Sequence, residues 1–592
     1  NLRPSAPEAD ALSPELWGPR NPLRLQPRGL AIHPRVGLAL VNPQALADLI
    51  AELAISRLKA LDSADVPESV DVALERPRNK DHGDWATSIA LKLAKGAGMN
   101  PRDFAQDLAR DIDGLEGVAS TDVAGPGFIN ITLEAGAAGE LVSIILASGE
   151  SYGSGSALAG DTINVEFVSA NPTGPLHIGH TRWAALGDSL VRVLRYAGAS
   201  VTSEFYINDA GLQMDTFGES ILASILGEEP PESGYKGLYI QELAARVVAC
   251  EAGIAELPRD EAVARARDTG YGLQLSDIKK SLESFGVEFG VWFSERTLHE
   301  KGADGVSLID GSVERLREGG HVFDEEGAIW VRTTDFGDDK DRVIRRANGV
   351  YTYFAADAAY YLSKSDRGFA KKIYLLGADH HGYIHRLKAL AGAAGDDPDT
   401  NVEILIGQLV SINGAKLSKR AGNIIELDDL REWLGVDALR YSLARYPADS
   451  PLSLDPEILT KRSNDNPVFY VQYAHARTHQ VARNAEGSGV TTATFDPALL
   501  GQPTEAALIS SLADFPRIVV QAAQLREPHR VARYLEEVAA VYHRWYDSAR
   551  VTPQGDNPIE PVHHTRLSLN NATGQVLRNG LGLLGVSAPT RM

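Results

Sequence analysis

The segment that most constrains the fold of this chain is NPTGPLHIGH, Asn171 to His180, which joins a predicted strand to a predicted helix. The strand is DTINVEFVSA, the helix is TRWAALGDSLVRVLRYAG, and VTSEFYIND follows as the next strand. This strand–turn–helix–strand order is typical of a parallel sheet. Because such sheets bind ligands beside the carboxyl ends of their strands, we expect the turn to lie at a binding site.

Two histidines of this segment are three residues apart on the first turn of the helix. Gly174 and Pro175 make the turn, and His177 and His180 then share one face of the helix. The helix N-terminus adds unpaired N–H groups and a positive dipole end, which suit a triphosphate passing through a charged transition state. Capping or packing is the alternative role for the histidines. No GxxxxGK[ST] element is present, so this is not a Walker-type loop.

A basic loop far downstream is the second candidate element. AKLSKRAGN, residues 415–423, contains Lys416, Lys419 and Arg420 between two glycines. Glycines make such a loop mobile, and its cations could close over the β- and γ-phosphates. An exposed basic loop is the alternative interpretation, and the presence of the histidine turn favours the phosphate-binding one.

Composition excludes few classes of protein. The net charge of −21 argues by itself against a nucleic-acid partner, but a basic groove can lie on an acidic body. The single cysteine excludes an internal disulfide and a Cys-rich zinc site, and we predict no protein-bound metal. We find no apolar run of membrane-spanning length and no secretory signal, and therefore expect no membrane partner.

The pattern along the 592 residues predicts an α/β protein of several domains. Residues 1–40 read as a disordered extension and 41–140 as an N-terminal α/β domain. Residues 155–450 read as a parallel-sheet domain with a helical insertion at about 212–340. Residues 451–592 read as an all-helical bundle.

The two candidate elements match the HIGH and KMSKS motifs of class I aminoacyl-tRNA synthetases. The second reads KLSKR, with Leu417 and Arg420 in place of the usual Met and final Ser. FYINDAGLQ, TYFAADAAYYL, LLGADHHGYIHRL, GVDALRYSLAR and NPVFYVQYAHAR resemble the arginyl-tRNA synthetase family in particular. HGDWATSIALKLAK and AGPGFINI resemble the extra N-terminal domain of that family. The resemblance runs from about residue 42 to the end.

The resemblance implies a Rossmann-like catalytic domain and a two-step reaction. Arginine carboxylate attacks the α-phosphate of ATP, and the arginyl group then passes to the terminal adenosine of its tRNA. ATP is a substrate, Mg²⁺ accompanies it, and activation usually requires bound tRNA. We expect the partners to be L-arginine and the tRNA for arginine, and the protein to be a cytoplasmic monomer.

The resemblance also assigns the phosphate end of the site. His177, His180, Lys416 and Lys419 are expected to be catalytic, and His180 also to lie beside the arginine. The expected ATP-binding set adds neighbouring residues of both motifs: Pro172, Thr173, Gly174, His177, Gly179, His180, Lys416, Ser418 and Lys419.

The arginine pocket should contain carboxylates, because a guanidinium offers five donors in a planar fork. Tyr353 and Asp357 are four residues apart in TYFAAD, which on a helix puts both on one face. They match the arginine-binding tyrosine and aspartate of the family. Glu295 in VWFSERTL matches a family glutamate that we expect to contact the guanidinium.

The other end of arginine, with its α-amino and carboxylate groups, needs polar partners. Ser169 and Asn171 match the family residues for this end, and Glu166 could hold the geometry of the site instead. His380 stands where some relatives have glutamine, with His381 as the alternative in this alignment.

Aromatic and cationic residues outside the catalytic domain are candidates for binding tRNA, because unpaired bases stack on aromatic rings. Trp85 and Ser88 lie where the family contacts the tRNA elbow. In the helical domain the aromatics could equally be bundle core. The candidates there are Tyr473, Arg477, Trp545 and Arg550.

Three rivals remain open at this point. A class I synthetase for glutamine, glutamate or cysteine is disfavoured, because zinc cysteines are missing and anionic substrates need arginines in the pocket. A plain nucleotidyltransferase would not need the helical tail. An inactive relative is disfavoured by the intact histidine turn and both loop lysines.

Overall fold

The computed structural model describes residues 43–60, 66–77, 82–96, 98–413 and 425–592, with the backbone alone at 43–45, 135, 137, 138 and 379–381. The expected extension at 1–40 lies outside the described residues. Lys416, Ser418 and Lys419 also lie outside them, as do the side chains of His380 and His381.

The N-terminal unit is a four-stranded antiparallel sheet covered by helices. The order of its strands is β1-β2-β4-β3. Phe104, Leu108 and Ile112 recur at helical spacing on one face of the third helix and are fully buried against the sheet. The elements are α1 (Pro43–Ala60), β1 (Leu74–Glu75), β2 (Trp85–Thr87), α2 (Ile89–Gly96), α3 (Pro101–Asp113), β3 (Val118–Ala124), β4 (Phe128–Leu133) and α4 (Ala135–Ser148).

The end of this unit differs from the expected boundary at residue 140. Helix α4 carries Leu141, Val142 and Ile145, which belong to the core shared by the central sheet and the C-terminal helices. Its apolar side chains are therefore buried on the rest of the protein, and the separate N-terminal core ends at β4.

The central region alternates strands and helices, as predicted. Its elements are β5 (Thr162–Glu166), α5 (Ile178–Tyr196), β6 (Ser200–Ile207), α6 (Leu212–Leu226), α7 (Leu238–Cys250), α8 (Arg259–Ser284), β7 (Val291–Ser294), α9 (Arg296–His299), α10 (Leu308–Glu318), β8 (Val322–Glu325), β9 (Ala328–Val331), β10 (Arg342–Arg345), α11 (Tyr353–Asp366), β11 (Lys371–Gly377), α12 (Ile384–Ala393), β12 (Val402–Gly407), β13 (Val410–Ile412), α13 (Leu427–Leu434), α14 (Val436–Ala444) and β14 (Leu452–Leu454).

The main sheet has five parallel strands in the order β12-β11-β5-β6-β7. From β5 the chain proceeds outward through β6 and β7, and it later returns to place β11 on the other side of β5. The strand order therefore reverses beside β5, which is where open α/β sheets bind ligands. The predicted parallel sheet is confirmed, and the histidine turn follows its central strand.

The expectation of a helical insertion over about 212–340 is wrong beyond Ser284. Val291–Ser294 is the edge strand of the main sheet, where Trp292 stacks on Phe205 with ring centroids 4.5 Å apart. Strands β8, β9 and β10 form a small antiparallel sheet. Glu326 and Gly327, at φ of 50° and 78°, make the two-residue hairpin turn between β8 and β9, a turn signal that the polar sequence concealed.

The C-terminal region is a bundle of helices, as predicted. They are α15 (Pro456–Leu459), α16 (Pro467–Gly487), α17 (Pro503–Ala513), α18 (Phe515–Gln524), α19 (His529–Ser548) and α20 (Pro561–Leu583). The stretch Pro503–Gln524 is long and apolar enough to cross a membrane by length and composition. It is divided into two helices, however, and Leu508, Leu512 and Val519 are buried in the shared core, so it belongs to the bundle.

Candidate active site

The histidine turn is fixed against the central strand by close packing. Helix α5 runs directly below the end of β5, and a Cβ added at Gly187 would lie 2.3 Å from the ring of Phe167. Only glycine allows this approach of helix to strand. The N-terminus of α5 is therefore held at the carboxyl edge of the sheet, with buried Pro172 and Thr173 leading into it.

The two histidines form a stacked pair at the start of α5. Their ring centroids are 3.9 Å apart with an interplanar angle of 28°. His177 is the N-cap: its Nδ1 accepts from the Gly179 N–H at 3.1 Å, and Nδ1 of His180 accepts from the His177 N–H at 3.3 Å. A Cβ at Gly179 would lie 3.0 Å from the His177 ring, so glycine makes room for the cap.

The burial of the two rings determines their protonation state, and the backbone contacts determine their tautomer. Burial lowers the pKa of His177, and burial together with the neighbouring ring lowers the pKa of His180 to about 3. Both rings are therefore neutral near pH 7. Because each Nδ1 accepts from the backbone, the hydrogen-bond network assigns the ring proton to Nε2. The pair offers two neutral Nε2–H donors beside a helix N-terminus.

The residues that follow the basic loop in the sequence are hydrogen-bonded to this turn. The Ile178 N–H donates to the carbonyl of Ile425 at 3.0 Å, and the Leu427 N–H donates to the carbonyl of Leu176 at 2.8 Å. Residues about 250 positions apart are thus joined by backbone hydrogen bonds. The residue that follows the undescribed segment, Ile425, therefore lies beside the histidine turn, and the closure of Lys416 and Lys419 over the phosphates stays a prediction.

The backbone after β5 is strained where it turns into the site. Val168 and Ser169 have φ values of 68° and 43°, and a β-branched residue rarely adopts the left-handed region. The Ser169 hydroxyl donates to Glu166 at 3.0 Å and accepts from the Tyr206 N–H at 3.2 Å. One lone pair of that hydroxyl remains for a ligand ammonium.

Asn171 is held by the start of helix α6. Its amide donates to Oε1 of Gln213 at 2.9 Å, and Gln213 in turn donates to Asn208 at 2.7 Å. Asn171 is exposed, so its side chain stands at the open face of the site on a fixed support.

Two carboxylates approach the same space from separate elements. Glu295 follows β7 and is 8% exposed, and Asp357 lies one turn into α11. Burial raises the pKa of Glu295, although a hydrogen bond from Tyr206 opposes this rise. Burial raises the pKa of Asp357 to about 7, with Glu295 adding to the rise, while Tyr383 and Arg386 oppose it. The pocket thus concentrates negative charge that its own cations do not fully balance, which suits a cationic ligand.

Tyr353 lies at the rim of this pocket. It begins α11, four residues before Asp357, and its side chain is 86% exposed. It lies on the same face of α11 as Asp357, as the spacing of four residues predicts. His380 and His381 lie in a short 3₁₀ helix after β11, at the same edge of the sheet.

The structure divides the predicted tRNA contacts into interior and surface residues. Trp85 is 1% exposed in the N-terminal core, with the Arg76 guanidinium 3.6 Å from its ring centroid. Trp545 is fully buried in the bundle. Neither indole is available to stack on a base, because burial in an apolar core is favourable for rings of this size and both are buried. Ser88 is half-buried just before α2, and Arg550 is exposed.

A cation–aromatic cluster on the surface of the bundle includes two of the predicted residues. Arg477 donates to the hydroxyl of Tyr473 at 2.7 Å and lies 4.6 Å from its ring centroid and 4.7 Å from that of Tyr546. His543 accepts from Arg477 at 3.0 Å. Tyr546 is exposed and Tyr473 is half-buried, and accessible rings beside a guanidinium suit unpaired bases and phosphates.

Sequence reasoning missed several residues that support the site. Asp209 is 1% exposed and accepts from Tyr271 at 2.7 Å and from Ser294 at 2.6 Å, which ties the ends of β6 and β7 together. Its position in FYINDAG, a segment that resembles the family, was the one feature of the sequence that could have indicated its role. Lys364 lies under the site and had no signal, because a lysine in a helix is ordinarily at the surface.

Comparison with known proteins gives the family of the chain. Family models match the arginyl tRNA synthetase N-terminal domain at 43–133, the class I (R) tRNA synthetase catalytic domain at 141–283 and 295–439, and the DALR anticodon binding domain at 471–592.

Two curated relatives are similar to this chain in sequence, and one solved structure is similar to it in fold. The arginine–tRNA ligase of Paenarthrobacter aurescens strain TC1 is 63% identical over 533 residues, 90% of this chain and 96% of the relative. That of Pseudarthrobacter chlorophenolicus is 60% identical over 94% of this chain and 99% of the relative. The Thermus thermophilus arginyl-tRNA synthetase shares the fold, with a TM-score of 0.71 and 22% identity over 92% of this chain and 100% of that one. The chain belongs to the arginyl-tRNA synthetases of class I.

Proposed function

We propose that this protein is an arginine–tRNA ligase that activates L-arginine with ATP and transfers it to the terminal adenosine of its tRNA. The observation that carries the choice of arginine is the pairing of Glu295 and Asp357 in a pocket where burial raises the pKa of both. A guanidinium entering between them would supply the missing positive charge and bidentate donors. A glutamate or glutamine substrate would meet carboxylates where it needs cations or neutral groups.

The phosphate end of the proposed site works with neutral donors. Arginine carboxylate is itself the nucleophile, so no side chain has to act as a base. As the α-phosphorus is attacked, charge grows on the phosphate oxygens, and the Nε2–H groups of His177 and His180 would donate to them. The N-terminus of α5, with Gly174 and Gly179 in its turn, adds backbone donors.

Lys416 and Lys419, with Ser418 between them, are proposed to close over the leaving pyrophosphate. Ile425 and Leu427, which follow these residues in the sequence, are hydrogen-bonded to the histidine turn, so a movement there would be transmitted to the residues around the phosphates. Magnesium would travel with ATP. The ATP phosphates and water would supply ligands to it, as is usual for nucleotide-bound magnesium.

The amino acid is proposed to span the site from Asp357 to Ser169. Ser169 has a free acceptor lone pair for the α-ammonium, and Asn171 has a supported amide for the carboxylate. Tyr353, exposed beside Asp357, would fold over the bound guanidinium. His380 or His381 would contact the ligand from the end of β11, and His180 would reach both arginine and ATP.

The tRNA is proposed to bind along the helical bundle and the N-terminal domain. Tyr473 and Arg477 would stack on unpaired bases, Arg550 would contact phosphate, and Ser88 would contribute on the N-terminal side. We further propose that the enzyme acts as a monomer in the cytoplasm, where its charged tRNA would be used.

The direct test is charging of an unfractionated tRNA pool with each labelled amino acid in turn. Arginine alone should become acid-precipitable, and the product should be sensitive to mild alkali, as an aminoacyl ester is. Charging with glutamine, glutamate or another amino acid would reject the assignment. Adenylate formation without any charging would favour a nucleotidyltransferase.

A further inference from the structure

A fully buried lysine lies directly beneath the arginine pocket. Lys364 is on α11, its side chain is 0% exposed, and its Nζ donates to Oε2 of Glu166 at 2.6 Å. The ammonium also lies 4.4 Å from the ring centroid of Tyr360 and 4.1 Å from that of Tyr374. Lysine is almost never buried to this degree unless it is paired, so the pair with Glu166 is what keeps the charge there.

Glu166 transmits this contact to the strained turn. Its other oxygen, Oε1, accepts from the Ser169 hydroxyl at 3.0 Å, and that hydroxyl accepts from the Tyr206 N–H. The chain of contacts therefore runs from Lys364 through Glu166 to a serine held at a φ of 43°. Backbone in that region persists only where surrounding contacts hold it.

The same helix also carries Asp357, the carboxylate that is proposed to bind the guanidinium. Tyr353, Asp357, Tyr360 and Lys364 follow one another at spacings of four, three and four residues, so they form one stripe along α11. Helix α11 thus carries Asp357 at the guanidinium end of the proposed pocket, and through Lys364 it contacts Glu166 at the α-amino end. The other charged and phenolic groups around Glu166 are Glu204, Arg367, Tyr206, Tyr374 and Asp357.

We infer that Lys364 is a positioning residue for arginine: it fixes Glu166, and through Glu166 the turn at Val168 and Ser169 that receives the α-amino end of the substrate. Burial lowers the pKa of Lys364, and the attraction of Glu166 and then Glu204 opposes that fall. The inference rests on the proposed function. It requires a wild-type enzyme with arginine-dependent ATP–pyrophosphate exchange, whose absence would reject the function rather than this role.

The chain offers a matched control at the opposite end of the sheet. Lys372 is 1% exposed near the start of β11, its Nζ donates to Asp396 at 2.6 Å, and it lies 4.8 Å from the ring centroid of Tyr361. Lys372→Met therefore removes the same kind of buried pair away from the carboxyl edge where ligands bind.

The test compares the full-length wild-type, Lys364→Met and Lys372→Met enzymes in exchange with tRNA present. Lys364→Met should raise the KM for arginine at least tenfold and leave the KM for ATP within threefold. Lys372→Met should lower the Tm by a similar amount and leave both KM values within twofold. Equal changes in the two KM values of Lys364→Met, or a matching rise with Lys372→Met, would overturn the inference.

A double variant tests whether Lys364 acts through Glu166. If it does, Glu166→Gln with Lys364→Met should have an arginine KM within threefold of Glu166→Gln alone, because the lysine then has nothing left to position. Independent roles would multiply the two effects, and that result would reject the coupling. The double variant buries no unpaired charge, and in Glu166→Gln the lysine keeps the attraction of Glu204, so both enzymes of this comparison are measurable even if Lys364→Met alone does not fold.

Discussion

The two ends of the proposed site handle charge in opposite ways. At the phosphate end, burial keeps His177 and His180 neutral, and a backbone hydrogen bond to each Nδ1 leaves a donor at Nε2. At the guanidinium end, burial works against the charged form of Glu295 and Asp357, and the pKa of Asp357 rises to about 7. In the proposed site, the first end would bind an anion through neutral donors, whereas the second would bind a cation through carboxylates.

The difference follows from what each end has to stabilise. Phosphate charge increases during the reaction, and fixed dipoles can respond to it without reorganising. The guanidinium keeps its charge throughout, so the pocket contributes selection rather than rate, and a carboxylate short of cations is selective for it. Substitutions at the first end should therefore change kcat, and substitutions at the second should change KM.

His180→Ala should have the largest effect. Removing one donor to a developing negative charge typically costs about 100- to 1000-fold in kcat, and we expect a fall of that size in pyrophosphate exchange, larger than any rise in the arginine KM from the loss of the imidazole beside arginine. His321→Ala is the control, since that imidazole packs edge-on against Phe336 at 4.9 Å in the region of the small sheet. A rise in the arginine KM with kcat unchanged would reverse the assignment of the two ends.

Asp357→Asn should change the KM for arginine rather than kcat. Loss of one buried charge partner costs about 2–5 kcal/mol, so the arginine KM should rise by about 100-fold with the ATP KM nearly unchanged. Asp366→Asn, at the exposed far end of the same helix where Asp366 pairs with Arg315, should have no such effect. An arginine KM within twofold of wild type for Asp357→Asn would remove the aspartate from the pocket.

The pH dependence should distinguish the two ends in one unmodified enzyme. As pH falls from 8 to 6 Asp357 gains a proton, because its pKa lies near 7, while the guanidinium stays charged. The arginine KM should therefore rise about tenfold over this range, as expected for loss of the ionised form of a single group. His180, with a pKa of about 3, does not titrate there, so its contribution to ATP binding should not change. A flat arginine KM, or an equal rise in Asp357→Asn, would contradict the assignment.

The parts of the fold that were predicted from sequence have strong local signals. The Gly/Pro turn between β5 and α5 and the apolar period of the bundle helices were both read correctly. The hairpin at Glu326 and Gly327 was not, because Glu-Gly is a weaker turn signal than Asn-Gly and its strands are largely polar. The edge strand Val291–Ser294 was also missed, since four residues are too few to show a period.

The sequence predicts candidate site residues where they belong to a motif, but it does not predict which polar or aromatic side chains are buried. The histidine pair and Asp357 came from sequence, and the structure brings the histidines together as a stack. Trp85 and Trp545 were expected at the tRNA surface but are buried, because the apolar area of an indole favours the core wherever the fold offers one. Lys364 could not be predicted, since only tertiary structure shows that a helical lysine faces inward.

The most direct test of the account is ATP–pyrophosphate exchange with arginine, run with and without total tRNA. We predict exchange that requires both arginine and tRNA, which would establish the amino acid, the first chemical step and its coupling to the tRNA. Exchange with arginine alone would retain the enzyme but remove the coupling. No exchange with arginine in either condition would contradict the central claim that the carboxylates beside the histidine turn bind arginine for activation.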